Sequence, residues 1–113
     1  MKFAFASTDG RNVILHFGKA SSIYVYNYDE DNLEFQNKIT VEIEEDKPHQ
    51  GVKIVKALKE HDVDTIFVGQ IGFKSKVRVD DAGIKVIVDE GPIEEVLERY
   101  IKHLEFMDKP LNI

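Results

Sequence analysis

The second half of the chain alternates amphipathic segments with short strand-forming runs, and this alternation constrains its fold more than any other feature. Residues 52–58 place apolar side chains on one face of a predicted helix, and residues 65–68 form a β-branched and aromatic run that ends at Gly69. A weaker helical segment follows Gly72, and a second run covers residues 84–88. Strands that alternate with helices in this way are typical of a parallel sheet buried on both faces.

The first half of the chain predicts three further strands. Residues 2–7 are apolar without alternation, and residues 23–28 are rich in β-branched and aromatic side chains. Residues 33–43 alternate apolar with polar side chains, which predicts a half-buried strand antiparallel to its predecessor. Asn37 interrupts the apolar positions, so we expect a bulge there. The predicted order is β-β-β-α-β-α-β-α, a mixed five-stranded sheet with about three helices.

The closing segment has the clearest helical period in the chain. We expect this helix to begin at Gly91-Pro92, with Pro92 at the first helical position. No repeat or linker divides the sequence, so we predict a single domain over residues 1–106 and a C-terminal tail over residues 107–113. The apolar positions of the helix are Ile93, Val96, Leu97, Tyr100, Ile101 and Leu104.

The predicted topology brings several loops to one edge of the sheet. Each crossover returns the chain to the same end, so the carboxyl ends of the parallel strands share a rim. Ligands of open α/β sheets bind outside these carboxyl ends, at a topological switch point. The rim is therefore the predicted ligand site. Its segments are residues 8–17, 48–51, 69–72 and 89–91.

Two of the four histidines fall on this rim. His16 opens the run His16-Phe17-Gly18, which predicts either a ligand-binding imidazole beside a glycine or a surface histidine in a hairpin. His49 precedes a predicted helix. This predicts a second imidazole, or helix N-terminal N–H groups that receive an anion, or a capping segment that only starts the helix. Two neutral histidines could bind a metal, but they make an incomplete zinc site.

The turn Gly69-Gln70-Ile71-Gly72 links a predicted strand to a predicted helix on the same rim. Its glycines either expose backbone N–H groups to an anion or make a tight turn. The turn matches neither the G-x-G-x-x-G fingerprint nor a P-loop. We assign the turn to the predicted site as an anion-accommodating backbone.

Composition excludes several classes of function. The formal net charge of −6 over 113 residues disfavours nucleic-acid binding, which needs a basic face. The chain has no cysteine, so it offers neither a thiol nucleophile nor thiolate ligands for a metal. No stretch approaches the ~20 apolar residues of a membrane span. We expect a cytoplasmic protein that binds no membrane, and the oligomeric state, monomer or dimer, stays open.

The motifs above give the chain a family likeness over about residues 1–104. It resembles the dinitrogenase iron–molybdenum cofactor biosynthesis family, which includes NifX-like proteins and the carboxyl-terminal domain of NifB. The residues that carry the resemblance are the strand Lys2 to Ala6 with Ser7-Thr8-Asp9-Gly10, then His16-Phe17-Gly18-Lys19-Ala20, the strand 23–29, Gly69-Gln70-Ile71-Gly72, Ala82-Gly83-Ile84-Lys85-Val86 and the closing helix from Pro92.

The resemblance implies a ribonuclease H-like three-layer α/β fold with a mixed five-stranded sheet in the order 3-2-1-4-5. It also implies non-enzymatic binding or carriage of an iron–sulfur or iron–molybdenum cofactor precursor, or a related metal cluster, with a cofactor-assembly protein as partner. His16 would be the leading ligand and His49 the second, both as metal ligands. The remaining cofactor-binding residues would be Phe17, Gly18, Gly69, Gln70 and Gly72.

Two other functions remain open. A protein-interaction module with the same fold would use the tyrosines of the strand 23–28, or the acidic run 42–46, and hold no cofactor. A metal-dependent nuclease would need several carboxylates that gather magnesium ions, but the first strand has no acidic residue before Asp9. We therefore expect a binding protein and no enzyme.

Overall fold

The computed structural model describes residues 1–14, 16–29, 32–44, 47 and 50–108, with the side chains described as far as Leu104. A 3-10 turn over Phe17–Lys19 lies between the second and third strands. The predicted class, a mixed α/β protein with a five-stranded mixed sheet and three helices, is confirmed. The elements are β1 (Lys2–Ala6), β2 (Asn12–Val13), β3 (Ser22–Asp29), β4 (Asn32–Thr40), α1 (Gln50–Glu60), β5 (Thr65–Val68), α2 (Phe73–Asp81), β6 (Lys85–Val88), β7 (Gly91–Pro92) and α3 (Ile93–Asp108).

The main sheet has the strand order β4-β3-β1-β5-β6. β1 pairs in parallel with β5 and antiparallel with β3, while β5 pairs in parallel with β6. β2 and β7 form a separate two-stranded ladder. Residues Phe3 to Ala6 of β1 are fully buried, because this central strand is covered on both faces. This double burial explains why its sequence is apolar without alternation.

Helices cover both faces of the sheet and make three layers. Alternate residues of the central strands point to opposite faces. Phe3, Phe5 and Phe67 pack with α3, and the rings of Phe5 and Phe67 stack with centroids 4.7 Å apart. The other face packs on α1 and α2, through a second cluster that includes Ala4, Ile66, Ile54, Leu58 and Val79.

A bulge in β4 changes which face its apolar residues cover. Val25 of β3 lies opposite Asn37, and Tyr26 lies opposite Phe35, so Gln36 is the extra residue. The expected bulge is therefore present, one residue before Asn37. Because one extra residue reverses the alternation, the apolar positions do not share one face. Leu33 packs with the α3 cluster, whereas Ile39 packs with the α1 and α2 cluster.

The start of α3 differs from the prediction. Pro92 lies in β7 opposite Asn12, and the helix begins one residue later, at Ile93. The backbone N–H of Ile93 donates to the carbonyl of Arg11 at 2.8 Å. This bond joins the first turn of α3 to the loop after β1. In the described part of the chain, no helix is both long and apolar enough to cross a membrane.

Candidate functional site

Two hydrogen bonds fasten the loop after β1 to the carboxyl ends of the central strands. Ile14 N donates to the carbonyl of Ala6 at 3.3 Å, and Phe17 N donates to the carbonyl of Gln70 at 2.8 Å. His16 and Gln70 also form an isolated parallel β-bridge. The structure thus brings the described parts of the predicted rim segments 8–17 and 69–72 together.

Phe17 anchors the 3-10 turn in the core. Its side chain is fully buried and belongs to the cluster under α1 and α2. A Cβ atom at Gly51, in the first turn of α1, would lie 3.3 Å from Cε1 of Phe17. The absence of a side chain at Gly51 therefore lets the turn pack closely against α1. Phe17 positions the turn from the core.

His16 is exposed and caps the turn that Phe17 anchors. Its Nδ1 accepts a hydrogen bond from the backbone N–H of Gly18 at 3.2 Å. When Nδ1 accepts, a neutral imidazole carries its proton on Nε2. A metal bound at Nε2 would require the proton to lie on Nδ1. There it would face the N–H of Gly18, and the hydrogen bond between them would be lost. As placed, His16 is suited to donate a hydrogen bond to an anion and less suited to ligate a metal.

A basic cleft of about 370 Å³ opens beside this turn. Its described wall comes from the 3-10 turn, from Ile43 and Lys47, from the first turn of α1 and from the first two turns of α2. The described residues that line it include four cationic side chains and no carboxylate, although the chain has a net charge of −6. The cations are Lys19, Lys47, Lys74 and Arg78.

Three of these cations have no partner of opposite charge within the described residues. Lys47 pairs with Glu44 at 3.3 Å, but Lys19, Lys74 and Arg78 form no ion pair there. Clustered like charges without counter-charges raise the local concentration of an anion. Judged by the described residues, the cleft is therefore electropositive, although the chain as a whole is acidic.

The α2 contribution follows from helical spacing. Lys74 and Arg78 are four residues apart, so they share one side of the helix, and Ser75 lies beside them in the cleft wall. Arg78 approaches the first turn of α1, where a Cβ at Gly51 would lie 3.5 Å from Nη1 of Arg78. Sequence reasoning missed these residues. The available signal was a Lys-x-x-x-Arg pair at the start of a helix that begins on the rim.

The glycines of the 69–72 turn have different surroundings. A Cβ at Gly69 would lie 3.1 Å from Oε1 of Glu90 and 3.2 Å from the backbone of Ile14. Close packing thus explains why residue 69 is a glycine. Gly72 is the N-cap of α2, and nothing lies within 4 Å of where its Cβ would be. Neither glycine lines the cleft.

Of the predicted site residues, Gly18 lies in the cleft wall, whereas His16, Phe17, Gly69, Gln70 and Gly72 do not. His49 lies outside the described residues, so its role stays a prediction. Among the described residues, no group of three or more histidine, aspartate or glutamate side chains could hold a metal ion.

Two carboxylates at the rim accept hydrogen bonds that hold loops in place. Asp9 accepts hydrogen bonds from the backbone N–H groups of Arg11 and Asn12, which hold the pKa of its carboxyl far below the usual range. Asp89 accepts hydrogen bonds from Arg99 at 2.8 and 3.1 Å, and this guanidinium lowers the pKa of Asp89. Neither carboxylate lines the cleft.

Comparison with known families agrees with the resemblance seen in the sequence. Residues 1–103 match the model of the family described as dinitrogenase iron–molybdenum cofactor. The chain belongs to this family. No curated protein matches it.

Solved structures share the fold of this family member. The crystal structure of PH0822 superposes with a TM-score of 0.73 at 20% identity, covering 91% of this chain and 92% of that chain. The apo form of the orange protein from Desulfovibrio gigas gives 0.72 at 20% identity, covering 90% and 88%. A putative NifB protein from Thermotoga gives 0.60 at 19% identity, covering 89% and 87%. At these identities the likeness shows the fold alone.

Proposed function

We propose that this protein binds and carries, without catalysis, an anionic iron–sulfur or iron–molybdenum cofactor precursor, or a related metal cluster, in the basic cleft. The observation that supports this most directly is the set of four cationic side chains around one cleft on a chain of net charge −6. The family supplies the class of cargo. A volume of about 370 Å³ falls within the range of roughly 300–1,000 Å³ that small-molecule pockets usually have.

The chemistry of the chain favours holding such a cargo as an anion. The sequence has no cysteine, so it supplies no thiolate ligand to iron or molybdenum. A cluster that brings its own sulfides carries negative charge and can be bound through Lys19, Lys74 and Arg78. Residues of the first turns of α1 and α2 line the same cleft, and the positive ends of the two helix dipoles add positive potential there. His16 then contributes beside the cleft in two ways. It donates a hydrogen bond to the cargo, and its Nδ1 caps the 3-10 turn that forms part of the cleft wall.

The finer fold assignment is part of the same proposal. We assign the chain to the ribonuclease H-like three-layer folds with a sheet order of 3-2-1-4-5. Counted along the chain, the five strands of the main sheet lie in that order, and helices cover both faces. The three-layer arrangement supports this assignment.

The alternatives from the sequence have less support. The interaction module would use the tyrosines of β3 or the acidic run 42–46. Tyr26 and Tyr28 are partly buried against the α3 cluster, which argues against the tyrosines, and residues 45 and 46 lie outside the described part of the chain. The nuclease needs Asp9 to hold a metal, and the carboxylate oxygens of Asp9 already accept hydrogen bonds from Ser7, Arg11 and Asn12. The cleft, by contrast, offers cations without partners among the described residues.

The test is an anaerobic titration of the purified protein with molybdate and, separately, with a synthetic iron–sulfur cluster. Retained metal is measured after desalting. We expect the wild-type protein to retain one equivalent of at least one probe, and Lys74→Ala/Arg78→Ala to retain at least ten-fold less. Lys102→Ala on α3 is the matched control, because Lys102 is exposed and its ion pair among the described residues is with Glu98, away from the cleft. Equal retention by the double variant and the wild type would overturn the proposal.

A further inference from the structure

The apolar stripe of α1 is not completely covered by the core. Sequence periodicity places Val52, Val55 and Leu58 on one stripe, yet Val52 is 48% exposed while Leu58 is fully buried. Val52 and Val55 line a groove of about 660 Å³ on the outer side of α1. Val52 therefore leaves apolar surface exposed in this groove, and a partner that covers this surface gains free energy by removing it from water.

The groove is bordered mostly by cations. Lys56, Lys59 and Arg78 line it together with one acidic residue, Glu60. Over α1 and α2 as a whole, six cationic side chains stand against three acidic ones, on a chain whose net charge is −6. None of Lys56, Lys59 and Arg78 forms an ion pair with a described residue. The described lining of the groove therefore combines two valines with three cations and one acidic residue.

We propose that this groove docks a protein partner that presents apolar side chains flanked by carboxylates. Charge complementarity selects the acidic partner, because a basic one would face three cations against the single carboxylate of Glu60. A second copy of this chain is disfavoured, since a two-fold symmetric contact would set the same basic groove against itself. The groove adjoins the basic cleft through Arg78, which lines both. Docking would therefore place the partner at the mouth of the cleft.

The test uses the apoprotein, so it does not depend on any cargo. The probe is a fluorescein-labelled helical peptide with leucines at positions i, i+3, i+4 and i+7 and glutamates elsewhere. A matched peptide carries lysines in place of the glutamates. Fluorescence anisotropy should show the acidic peptide binding at least ten-fold more tightly than the basic one. Added salt should weaken the binding, because the border of the groove is exposed.

Two variants separate the charge from the apolar anchor. We expect Lys56→Glu/Lys59→Glu to weaken binding of the acidic peptide at least ten-fold, and Val52→Ser to weaken it several-fold. Lys38→Glu/Lys102→Glu is the matched control, with both side chains exposed on β4 and α3. Circular dichroism confirms that each variant is folded.

Three results would overturn the inference. These are equal binding of the two peptides, unchanged binding to Lys56→Glu/Lys59→Glu, or loss of binding in the control pair. Self-association of the wild type in sedimentation, abolished by Lys56→Glu/Lys59→Glu, would assign the groove to a second copy instead. Each of these outcomes can occur while metal retention in the cleft is intact, so this failure is distinct from a failure of the proposed function.

Discussion

The backbone N–H of Phe17 donates to the carbonyl oxygen of Gln70 at 2.8 Å, and this bond joins the two loops that leave the central strands of the sheet. The ring of Phe17 is buried at the same point, so the turn is held both by its backbone and by its side chain. Gly18 and Lys19, which follow directly, form part of the cleft wall. The core thereby sets the position of one side of the candidate site.

Removal of the Phe17 ring tests this anchoring. We expect Phe17→Ala to lower the free energy of unfolding by about 3–5 kcal/mol, because a fully buried aromatic ring leaves a cavity. Urea denaturation measures the change. Phe35→Ala is the control, since 52% of the surface of Phe35 is exposed, and it should cost less than about 1.5 kcal/mol. A similar cost for both variants would contradict the role given to Phe17.

The two glycines of the 69–72 turn should respond differently to an added methyl group. Gly69→Ala places Cβ 3.2 Å from the backbone of Ile14, and such overpacking typically costs about 1–3 kcal/mol. Gly72→Ala meets no atom within 4 Å, and its φ of −77° is ordinary for alanine. Thermal and urea unfolding of both variants should therefore rank Gly69→Ala as the less stable. The opposite ranking would refute the packing explanation for Gly69.

The His16 ring should carry its proton on Nε2 when it is neutral. The cause is the hydrogen bond from Gly18 N to Nδ1, which requires an unprotonated Nδ1. Nitrogen-15 NMR of the labelled imidazole at a pH where it is neutral distinguishes the two tautomers. A signal from protonated Nδ1 would show that the bond is absent in solution. The ring would then be free to ligate a metal through Nε2.

The stability that Asp9 contributes should depend on pH in the acidic range. Hydrogen bonds from Arg11 and Asn12 lower the pKa of Asp9 in the folded protein below its unfolded value of about 3.9. A lowered folded pKa stabilises the protein above the unfolded pKa, and this contribution is lost as the pH falls below it. The difference in unfolding free energy between wild type and Asp9→Asn should thus be constant from pH 7 to 5 and shrink below pH 4. A difference that does not change with pH would contradict this.

How far the sequence predicts the fold depends on how each strand is buried. β1 and β5 are covered on both faces, so their apolar runs could be assigned directly. β4 was harder, because the extra residue Gln36 moves Ile39 to the opposite face from Leu33, and alternation alone cannot show this. The position of this bulge depends on how β4 pairs with β3, which is a property of the tertiary structure.

The candidate site was less predictable than the fold. The described parts of the rim segments 8–17 and 69–72 lie together, as the topology predicts. The side chains that line the cleft, by contrast, belong to no recognisable sequence motif. Lys74 and Arg78 lie on a helix with a weak apolar period, where cations are usually solvated. Their role depends on how closely α2 approaches α1 at Gly51. Helix–helix distance is set by packing and has no local sequence signal.

The position of Arg78 predicts that binding in the basic cleft and binding in the groove weaken each other. Arg78 lines both the basic cleft and the groove of Val52, so we expect an anion in the cleft and a carboxylate in the groove to compete for its one positive charge. A saturating amount of the acidic peptide should weaken molybdate binding about five-fold, and by linkage molybdate should weaken peptide binding by the same factor. Isothermal titration calorimetry measures both directions. In Arg78→Ala each affinity should fall and the coupling should vanish, whereas peptide that tightens molybdate binding would show that Arg78 is not shared.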